Sequence, residues 1–256
     1  MVMVERGLAE SRARAQALIM AGEVLVDGQR VDKPGTPVRE AALVEVKAAL
    51  PYVSRGGLKL AHALSIFGLA QRIEGKVALD IGASTGGFTH VMLEAGAVRV
   101  YAVDVGTNQL AWKLRQDPRV VSMEQTNIRY LETLPESPDL ATADVSYIGL
   151  ELVIPVAARL TTPEAFMVVL IKPQFEAGRA QVGKGGVVRD FGVHRDIIRR
   201  LGVLWSASGL FFAGLTRSPI EGPAGNIEYL ALLEKVERGP FNLEEAIQRE
   251  VPAHAQ

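Results

Sequence analysis

The sequence predicts an α/β protein in which a small α+β module precedes a mostly parallel, seven-stranded sheet with helices on both faces. From Lys76 onward, short apolar runs alternate with helical stretches, the pattern typical of a parallel sheet. Before residue 48 the runs are shorter, and Asp27-Gly28 separates two β-branched segments as in a hairpin. A chain of 256 residues with 48% hydrophobic content can form one large core and one small domain.

The N-terminal module is predicted over residues 1–47, followed by a linker over 48–54. Its elements are a helix over 8–21, a hairpin over 24–31 and a short strand over 43–46. Gly22 ends the helix, and Pro34 and Pro37 mark the loop before the last strand. We therefore place the domain boundary in the linker.

The larger domain is predicted over residues 55–240, followed by a C-terminal tail over 241–256. Apolar runs predict seven strands, at 77–81, 99–104, 119–122, 139–144, 166–171, 211–216 and 227–233. Helices are predicted at 87–95, 107–116, 149–160 and 192–208. Residues 177–190 form a Gly-rich, basic loop that is long enough to act as a lid or a substrate contact.

The composition excludes several classes of protein. The chain has no cysteine, so disulfides and thiolate metal sites are excluded, and no metal site is predicted. The formal net charge of -1 gives no global attraction to nucleic acid, so any RNA contact has to be local. The apolar runs fall far short of the roughly 20 residues that span a bilayer, and the N-terminus lacks a secretory signal. We therefore expect a soluble, cytoplasmic protein that does not bind membranes.

A buried strand leads into the loop Asp80-Ile81-Gly82-Ala83-Ser84-Thr85-Gly86-Gly87-Phe88, which a helix follows. Its glycines allow a ligand to approach the backbone. Asp104 ends the next strand, about twenty residues later, where such folds hold a ribose diol. The loop lacks the G-x-G-x-x-G spacing that predicts NAD. It resembles instead the first motif of class I methyltransferases, which have a Rossmann-like fold and use S-adenosylmethionine.

Polar residues end several of the predicted parallel strands. Asp144 closes one strand, and Lys172 closes another, because Pro173 cannot continue the ladder of hydrogen bonds. The carboxyl ends of parallel strands meet at one edge of the sheet, where open α/β folds bind ligands. A neutral lysine there can accept the proton of a hydroxyl during methyl transfer. Lys172 is therefore the candidate base, with Lys59 as a second cation and Glu228 as a carboxylate that orients the lysines.

Taken singly, each of these residues is more typical of an ordinary surface or strand-end charge, whereas five motifs in order are more specific. They are S-R-G-G-L-K-L at 54–60, D-I-G-A-S-T-G-G-F at 80–88, A-D-V-S-Y-I at 143–148, I-K-P-Q-F-E at 171–176 and G-N-I-E-Y-L at 225–230. Through these five motifs, the chain resembles the TlyA (hemolysin A) family of RNA 2'-O-methyltransferases, whose methyltransferase domain is FtsJ-like. The resemblance extends to residues 5–35, which are similar to the family's N-terminal RNA-binding module of ribosomal-protein type.

The resemblance implies a reaction and a set of site residues. The reaction would transfer a methyl group from S-adenosylmethionine to a ribose 2'-hydroxyl, that of cytidine in the rRNA of ribosomal subunits. The catalytic Lys-Asp-Lys-Glu tetrad of related enzymes falls on Lys59, Asp144, Lys172 and Glu228. The expected cofactor-binding residues are Asp80, Gly82, Ser84, Thr85, Gly86, Gly87, Phe88, Asp104, Asn127 and Asp144. Asn127 is expected near the adenine.

RNA docking by the N-terminal module has to depend on clustered charge. Residues 1–47 contain seven Lys or Arg and seven Asp or Glu. The expected RNA-binding residues are Arg6, Arg12, Arg14, Arg30, Lys33 and Arg55. Each is also compatible with an ordinary solvated surface. The family's module usually opens with an Arg-Leu-Asp turn, whereas this chain begins Met1-Val2-Met3-Val4-Glu5 and so lacks a basic contact and a helix cap.

The sequence bears on four functions other than ribose methylation. Carbon-5 methylation of pyrimidines is excluded because it needs a cysteine nucleophile. Base-amino methylation usually comes with two prolines and an aromatic residue after the acidic position, and Asp144-Val145-Ser146-Tyr147 lacks the prolines. The family's historical name suggests a membrane-active hemolysin, but the sequence has no apolar span or lytic helix that would support this function. A noncatalytic RNA-binding ribosome assembly factor would keep the fold without binding the cofactor. The nucleotide, the ribosomal subunit and the oligomeric state are not predicted.

Overall fold

The structure is a computed structural model that describes residues 2–20, 22–46 and 50–253. The chain forms two compact units, Met1–Pro51 and Tyr52–Gln256, each with its own hydrophobic core. The first unit ends inside the predicted linker, of which residues 48 and 49 lie outside the described residues. No helix in the described part of the chain is long and apolar enough to cross a membrane.

The described part of the first unit contains two helices and a three-stranded antiparallel sheet that share one small core. The elements are α1 (Val2–Glu5), α2 (Arg12–Met20), β1 (Val24–Val26), β2 (Gln29–Val31) and β3 (Val44–Val46), with the strands ordered β2-β1-β3. Asp27 and Gly28 have φ values of 50° and 78°, so they form the tight turn that the Asp-Gly pair predicts. Helix α2 begins later than predicted because the Ser11 hydroxyl accepts a hydrogen bond from Arg14 N and caps it there.

The second unit contains the predicted seven-stranded, mostly parallel sheet. The strands are β4 (Val77–Ile81), β5 (Arg99–Val103), β6 (Val120–Met123), β7 (Leu140–Ala143), β8 (Phe166–Ile171), β9 (Phe211–Arg217) and β10 (Tyr229–Glu234). Their order is β6-β5-β4-β7-β8-β10-β9, and β10 runs antiparallel to both of its neighbours while the other pairs are parallel. This arrangement confirms the predicted fold class.

Helices cover both faces of this sheet because successive residues of each strand face opposite sides. They are α3 (Gly56–Ile66), α4 (Ala70–Ile73), α5 (Gly87–Glu94), α6 (Trp112–Arg115), α7 (Leu150–Leu160), α8 (Pro173–Glu176), α9 (Phe191–Ala207) and α10 (Leu243–Glu250). Along β4, Leu79 and Ile81 pack in the core under α7, α9 and α10, whereas Ala78 packs in the core under α3 and α5. The two cores fix the sheet between two layers of helices.

The segment predicted as a helix over 107–116 is helical only at α6. The Glu124 carboxylate accepts hydrogen bonds from the backbone N–H groups of Asn108, Gln109 and Leu110. These donors are held in a loop rather than in a helix, and Asn108 has a φ of 54°. Residues 104–111 thus form a loop between β5 and α6, at the edge of the sheet where Asp104 lies.

The C-terminal segment differs from the predicted tail over 241–256. Helix α10 occupies half of it, and Ala246, Ile247 and Val251 are buried in the core beside α9 and β9. Asn242 caps this helix by accepting a hydrogen bond from Glu245 N. The segment is thus an integral part of the second unit up to residue 253, and residues 254–256 lie outside the described residues.

Candidate active site

Two cavities lie at the carboxyl edge of the parallel strands. The larger cavity, of about 670 Å³, is bordered by the ends of β4, β5 and β7 and includes Asp104 and Asn127. The smaller cavity, of about 340 Å³, is bordered by the start of α3, the end of β8 and a loop over 220–223. Both cavities share four bordering residues, which are Gly82, Ser84, Asp144 and Ser146. The two spaces therefore meet at the ends of β4 and β7.

The loop after β4 can adopt its shape only with glycine at its first position. Gly82 has a φ of 81°, and a Cβ there would lie 2.4 Å from the backbone oxygen of Asp144. Two further residues turn the loop with positive φ, Ser84 at 49° and Gly86 at 95°. The backbone of this loop consequently forms part of the wall of both cavities.

Asp104 is fixed at the wall of the larger cavity by the loops beside it. Its Oδ2 accepts a hydrogen bond from Ser84 N at 2.8 Å, and its Oδ1 accepts one from Gly106 N at 2.7 Å. Asn127 lies further along the same cavity, where its side chain accepts a hydrogen bond from Arg129 N. The larger cavity therefore presents an oriented carboxylate and a side-chain amide.

Two lysine–carboxylate pairs lie at the smaller cavity. Lys172 Nζ is 2.5 Å from Asp144 Oδ1 and donates to Ser146 Oγ at 3.0 Å. Lys59 Nζ donates to Glu228 Oε2 at 2.5 Å. Three members of the expected tetrad, Lys59, Asp144 and Lys172, thus border this cavity, whereas buried Glu228 does not border it and contacts Lys59.

The sheet topology explains why these four residues meet. Asp144 and Lys172 follow the adjacent parallel strands β7 and β8. Glu228 precedes β10, whose first residue, Tyr229, pairs with Ile171 at the end of β8 because the two strands are antiparallel. Lys59 reaches the same edge from α3. Only 8% of each lysine and 1% of Glu228 is exposed, so the charges are paired in a largely desolvated environment.

Other expected cofactor residues border one cavity each. Thr85, Gly87 and Phe88 border the smaller cavity and not the larger one. Arg55 is exposed at the rim of the same smaller cavity. Gly86 borders neither space, because its backbone packs against the side chains of Leu110 and Leu114. Gly86 therefore shapes the turn instead of facing a cavity.

Asp80 also differs from the expected cofactor contact. Its side chain is fully buried and accepts hydrogen bonds from Thr89 Oγ1 at 2.6 Å and from Thr142 Oγ1 at 3.0 Å. It borders neither cavity, because it ties the start of α5 to β7 behind the loop. Burial raises the pKa of Asp80 to about 6, although the two hydroxyl donors lower it.

This buried carboxyl is expected to make the stability of the second unit depend on pH. Because the pKa of Asp80 is about 6 in the folded protein against 3.8 ordinarily, the folded state takes up the proton more readily. The stabilisation is complete below about pH 4 and is lost as the pH rises through 6. The free energy of unfolding of wild type minus that of Asp80→Asn should fall by about 2 kcal/mol between pH 4 and 7.

Urea titrations followed by tryptophan fluorescence would measure this difference, since both tryptophans, Trp112 and Trp205, lie in the second unit. Thr36→Val, in the first unit, serves as a control that leaves the pH dependence unchanged. A constant difference between wild type and Asp80→Asn across this range would contradict the assigned titration.

The expected RNA-binding residues of the first unit have different environments. Arg6 is used internally, because its guanidinium donates to the backbone oxygens of Ala42 at 2.6 Å and Glu40 at 2.5 Å. Arg6 is nevertheless exposed, as are the other four residues, namely Arg12, Arg14, Arg30 and Lys33. Two of them, Arg12 and Lys33, border one apolar cavity of about 340 Å³ in this unit.

Three residues at the smaller cavity or its carboxylates were not expected from the sequence. Ser146 contacts Lys172, and Gln174 Nε2 donates to Glu228 Oε1 at 3.4 Å. Gly222 lies against Glu228, since a Cβ there would be 2.3 Å from Glu228 Oε1. Membership of the A-D-V-S-Y-I and I-K-P-Q-F-E motifs was the available signal for the first two.

Within the described part of the chain, no cluster of His, Asp or Glu could hold a metal ion.

Comparisons with known proteins agree with this geometry. A sequence profile of the FtsJ-like methyltransferase family matches residues 52–235, and one of the S4 domain matches residues 1–44. The chain is 43% identical to the 16S/23S rRNA (cytidine-2'-O)-methyltransferase TlyA of Mycobacterium tuberculosis (strain ATCC 25618 / H37Rv), over 97% of this chain and 95% of that protein. It is 51% identical to YqxC of Bacillus subtilis (strain 168), which has the provisional name of an rRNA methyltransferase, over 90% of this chain and 82% of YqxC.

A solved structure shows the same relationship. A Streptococcus thermophilus protein with the provisional name of a hemolysin superposes with a TM-score of 0.76 at 46% identity, covering 96% of this chain and 92% of that one. The profile matches, the identity over nearly the whole chain and this superposition confirm the resemblance that the five motifs predict. The chain therefore belongs to the TlyA family of FtsJ-like methyltransferases that carry an N-terminal S4 domain.

Proposed function

We propose that this protein transfers a methyl group from S-adenosylmethionine to a ribose 2'-hydroxyl, that of cytidine in the rRNA of ribosomal subunits. The observation that carries the proposal is that Lys59 and Lys172, each paired with a carboxylate, border the smaller cavity, while Asp144, the partner of Lys172, borders both cavities. One cavity can hold the donor and the other the acceptor. Because the chain has no cysteine, a hydroxyl is a more suitable acceptor than a pyrimidine ring carbon.

The larger cavity fits S-adenosylmethionine. Its volume of about 670 Å³ is within the range for a cofactor of this size. Asp104 offers a fixed carboxylate for the ribose diol, and Gly82 leaves the backbone accessible. Asn127 borders the same cavity and is the proposed contact of the adenine. When bound, the cofactor supplies a methyl group on a positively charged sulfur.

The smaller cavity supplies the groups that a hydroxyl acceptor needs. Lys172 borders this cavity and can accept the hydroxyl proton when its amine is neutral. Asp144 lies 2.5 Å from Lys172 Nζ and stabilises the ammonium that results. Lys59 also borders this cavity and contributes a hydrogen-bond donor, and buried Glu228 balances its charge.

RNA is the acceptor class that best fits the rest of the chain. The S4 domain match covers residues 1–44, and the M. tuberculosis relative is named as acting on cytidine ribose in 16S and 23S rRNA. Exposed Arg12, Arg14, Arg30 and Lys33 offer the local positive charge that phosphate contacts require. Arg55 offers a further cation at the rim of the smaller cavity.

The test is transfer of labelled methyl groups from S-adenosylmethionine to ribosomal subunits purified from cells that lack this protein. Because a 2'-O-methyl group removes the nucleophile for alkaline cleavage, the label should appear in alkali-resistant dinucleotides that contain methylated cytidine. Label released as a methylated base would overturn ribose specificity. Binding to subunits without transfer or cofactor binding would favour the noncatalytic assembly factor. Release of dye from lipid vesicles at submicromolar protein would favour a hemolysin.

A further inference from the structure

Ser146 lies at the junction of the two cavities, in contact with the candidate base. It is one of four residues that border both spaces, and its Oγ lies 3.0 Å from Lys172 Nζ. Asp144 Oδ1 lies 2.5 Å from the same nitrogen. Lys172 Nζ is therefore held by two acceptors on one short segment after β7.

This segment is held in place by the segment that carries Lys172. Tyr147 has a φ of 62°, a conformation that costs energy for a residue with a side chain, so its surroundings must hold it there. The Tyr147 ring packs against that of Phe175, with centroids 4.8 Å apart. Glu176 accepts a hydrogen bond from Leu150 N at 2.9 Å, which anchors the end of the same segment. Because Phe175 and Glu176 lie in α8, which begins directly after Lys172, one element positions both the lysine and its serine partner.

The two contacts match the hydrogen-bonding capacity of a neutral amine. Such a nitrogen carries two N–H donors and one lone pair, in addition to its bond to Cε. With the two hydrogens directed at Asp144 Oδ1 and Ser146 Oγ, one tetrahedral position remains for the lone pair. Lys172 borders the smaller cavity but not the larger one, so this position serves the acceptor side.

We propose that Ser146 is a positioning residue that orients the lone pair of Lys172 toward the acceptor hydroxyl. The inference rests on the proposed function, in which the hydroxyl O–H bond breaks and its proton passes to Lys172 Nζ. The same oxygen forms the new bond to the methyl carbon as the methyl–sulfur bond breaks, and the electron pair of that bond stays on sulfur. Asp144 alone would leave the amine free to rotate about the Cε–Nζ bond between staggered positions.

Ser146→Ala is expected to lower kcat by about ten-fold, since it removes one hydrogen bond that aligns the reacting atoms. The KM values for S-adenosylmethionine and for ribosomal subunits should stay within about two-fold, because the effect is on alignment rather than on binding. Ser146→Thr keeps the hydroxyl and should restore kcat to within about three-fold of wild type. Ser206→Ala, on the exposed face of α9, is the matched control and should behave as wild type.

The experiment measures kcat and both KM values with labelled S-adenosylmethionine and ribosomal subunits, with melting temperatures as a check on folding. Lost kcat in Ser146→Ala with unchanged KM values and rescue by Ser146→Thr would support the assignment. An unchanged kcat in Ser146→Ala, or a rise in KM that accounts for the loss, would overturn it. Equal loss in both variants would also overturn it, because the hydroxyl would then not be the relevant group. An inactive wild type would instead contradict the proposed function itself.

Discussion

Replacement of Lys172 by methionine is expected to lower kcat for methyl transfer to rRNA by about 1,000-fold, the scale of a positioned general base. Lys172 Nζ is the nitrogen at the smaller cavity that Asp144 and Ser146 both contact. Methionine keeps much of the length of the side chain but has no nitrogen that accepts a proton. The residue does not border the larger cavity, so the dissociation constant for S-adenosylmethionine should change little.

The measurement combines single-turnover methyl transfer with calorimetric titration of the cofactor. Lys76→Met is a matched control because this lysine lies at the opposite edge of the sheet, where it pairs with Asp139 at 3.8 Å. That variant should keep both the rate and the affinity of wild type. If Lys172→Met retained the wild-type rate, the lysine would have no role as a base, and the acceptor proton would have to leave by another route.

Periodicity was sufficient to predict the sheet and the positions of its polar ends. Buried runs such as Phe166–Ile171 have no alternation of polar residues, which is the pattern of a strand covered on both faces. Because parallel strands share one carboxyl edge, the order of strands and polar residues along the chain is enough to predict that Asp144 and Lys172 lie together. The position of Glu228 has a different origin. Because Glu228 precedes β10, it reaches this edge only if β10 runs antiparallel to β8.

The features that the sequence did not reveal depend on tertiary contacts. The aspartate of such a cofactor motif can either border a cavity or be buried behind the loop. Asp80 is buried, because its carboxylate accepts hydrogen bonds from the hydroxyls of Thr89 and Thr142. The sequence of the loop after β5 predicts a helix. In the structure, Glu124, directly after β6, accepts hydrogen bonds from the backbone N–H groups of this loop instead. Such contacts join residues that are distant along the chain, so local propensity does not encode them.

Replacement of Glu228 by glutamine is expected to destabilise the second unit by about 3–5 kcal/mol, because it leaves the buried ammonium of Lys59 without its counter-charge. The Glu228 side chain has no exposed surface and that of Lys59 is 10% exposed, so water compensates for little of the lost interaction. Urea unfolding followed by tryptophan fluorescence measures this loss. Glu244→Gln, which removes the exposed partner of Arg199, is the control and should leave stability unchanged.

A double variant separates the structural role of this ion pair from its chemical role. Lys59→Met combined with Glu228→Leu removes both charges and fills similar volume, so it should recover most of the stability that Glu228→Gln loses. The same double variant should be inactive in methyl transfer, because the smaller cavity then lacks the Lys59 donor. A stable and active double variant would remove the pair from the reaction. A stable and inactive one would mean that the protein retains a costly buried charge pair for catalysis, since apolar residues suffice for folding.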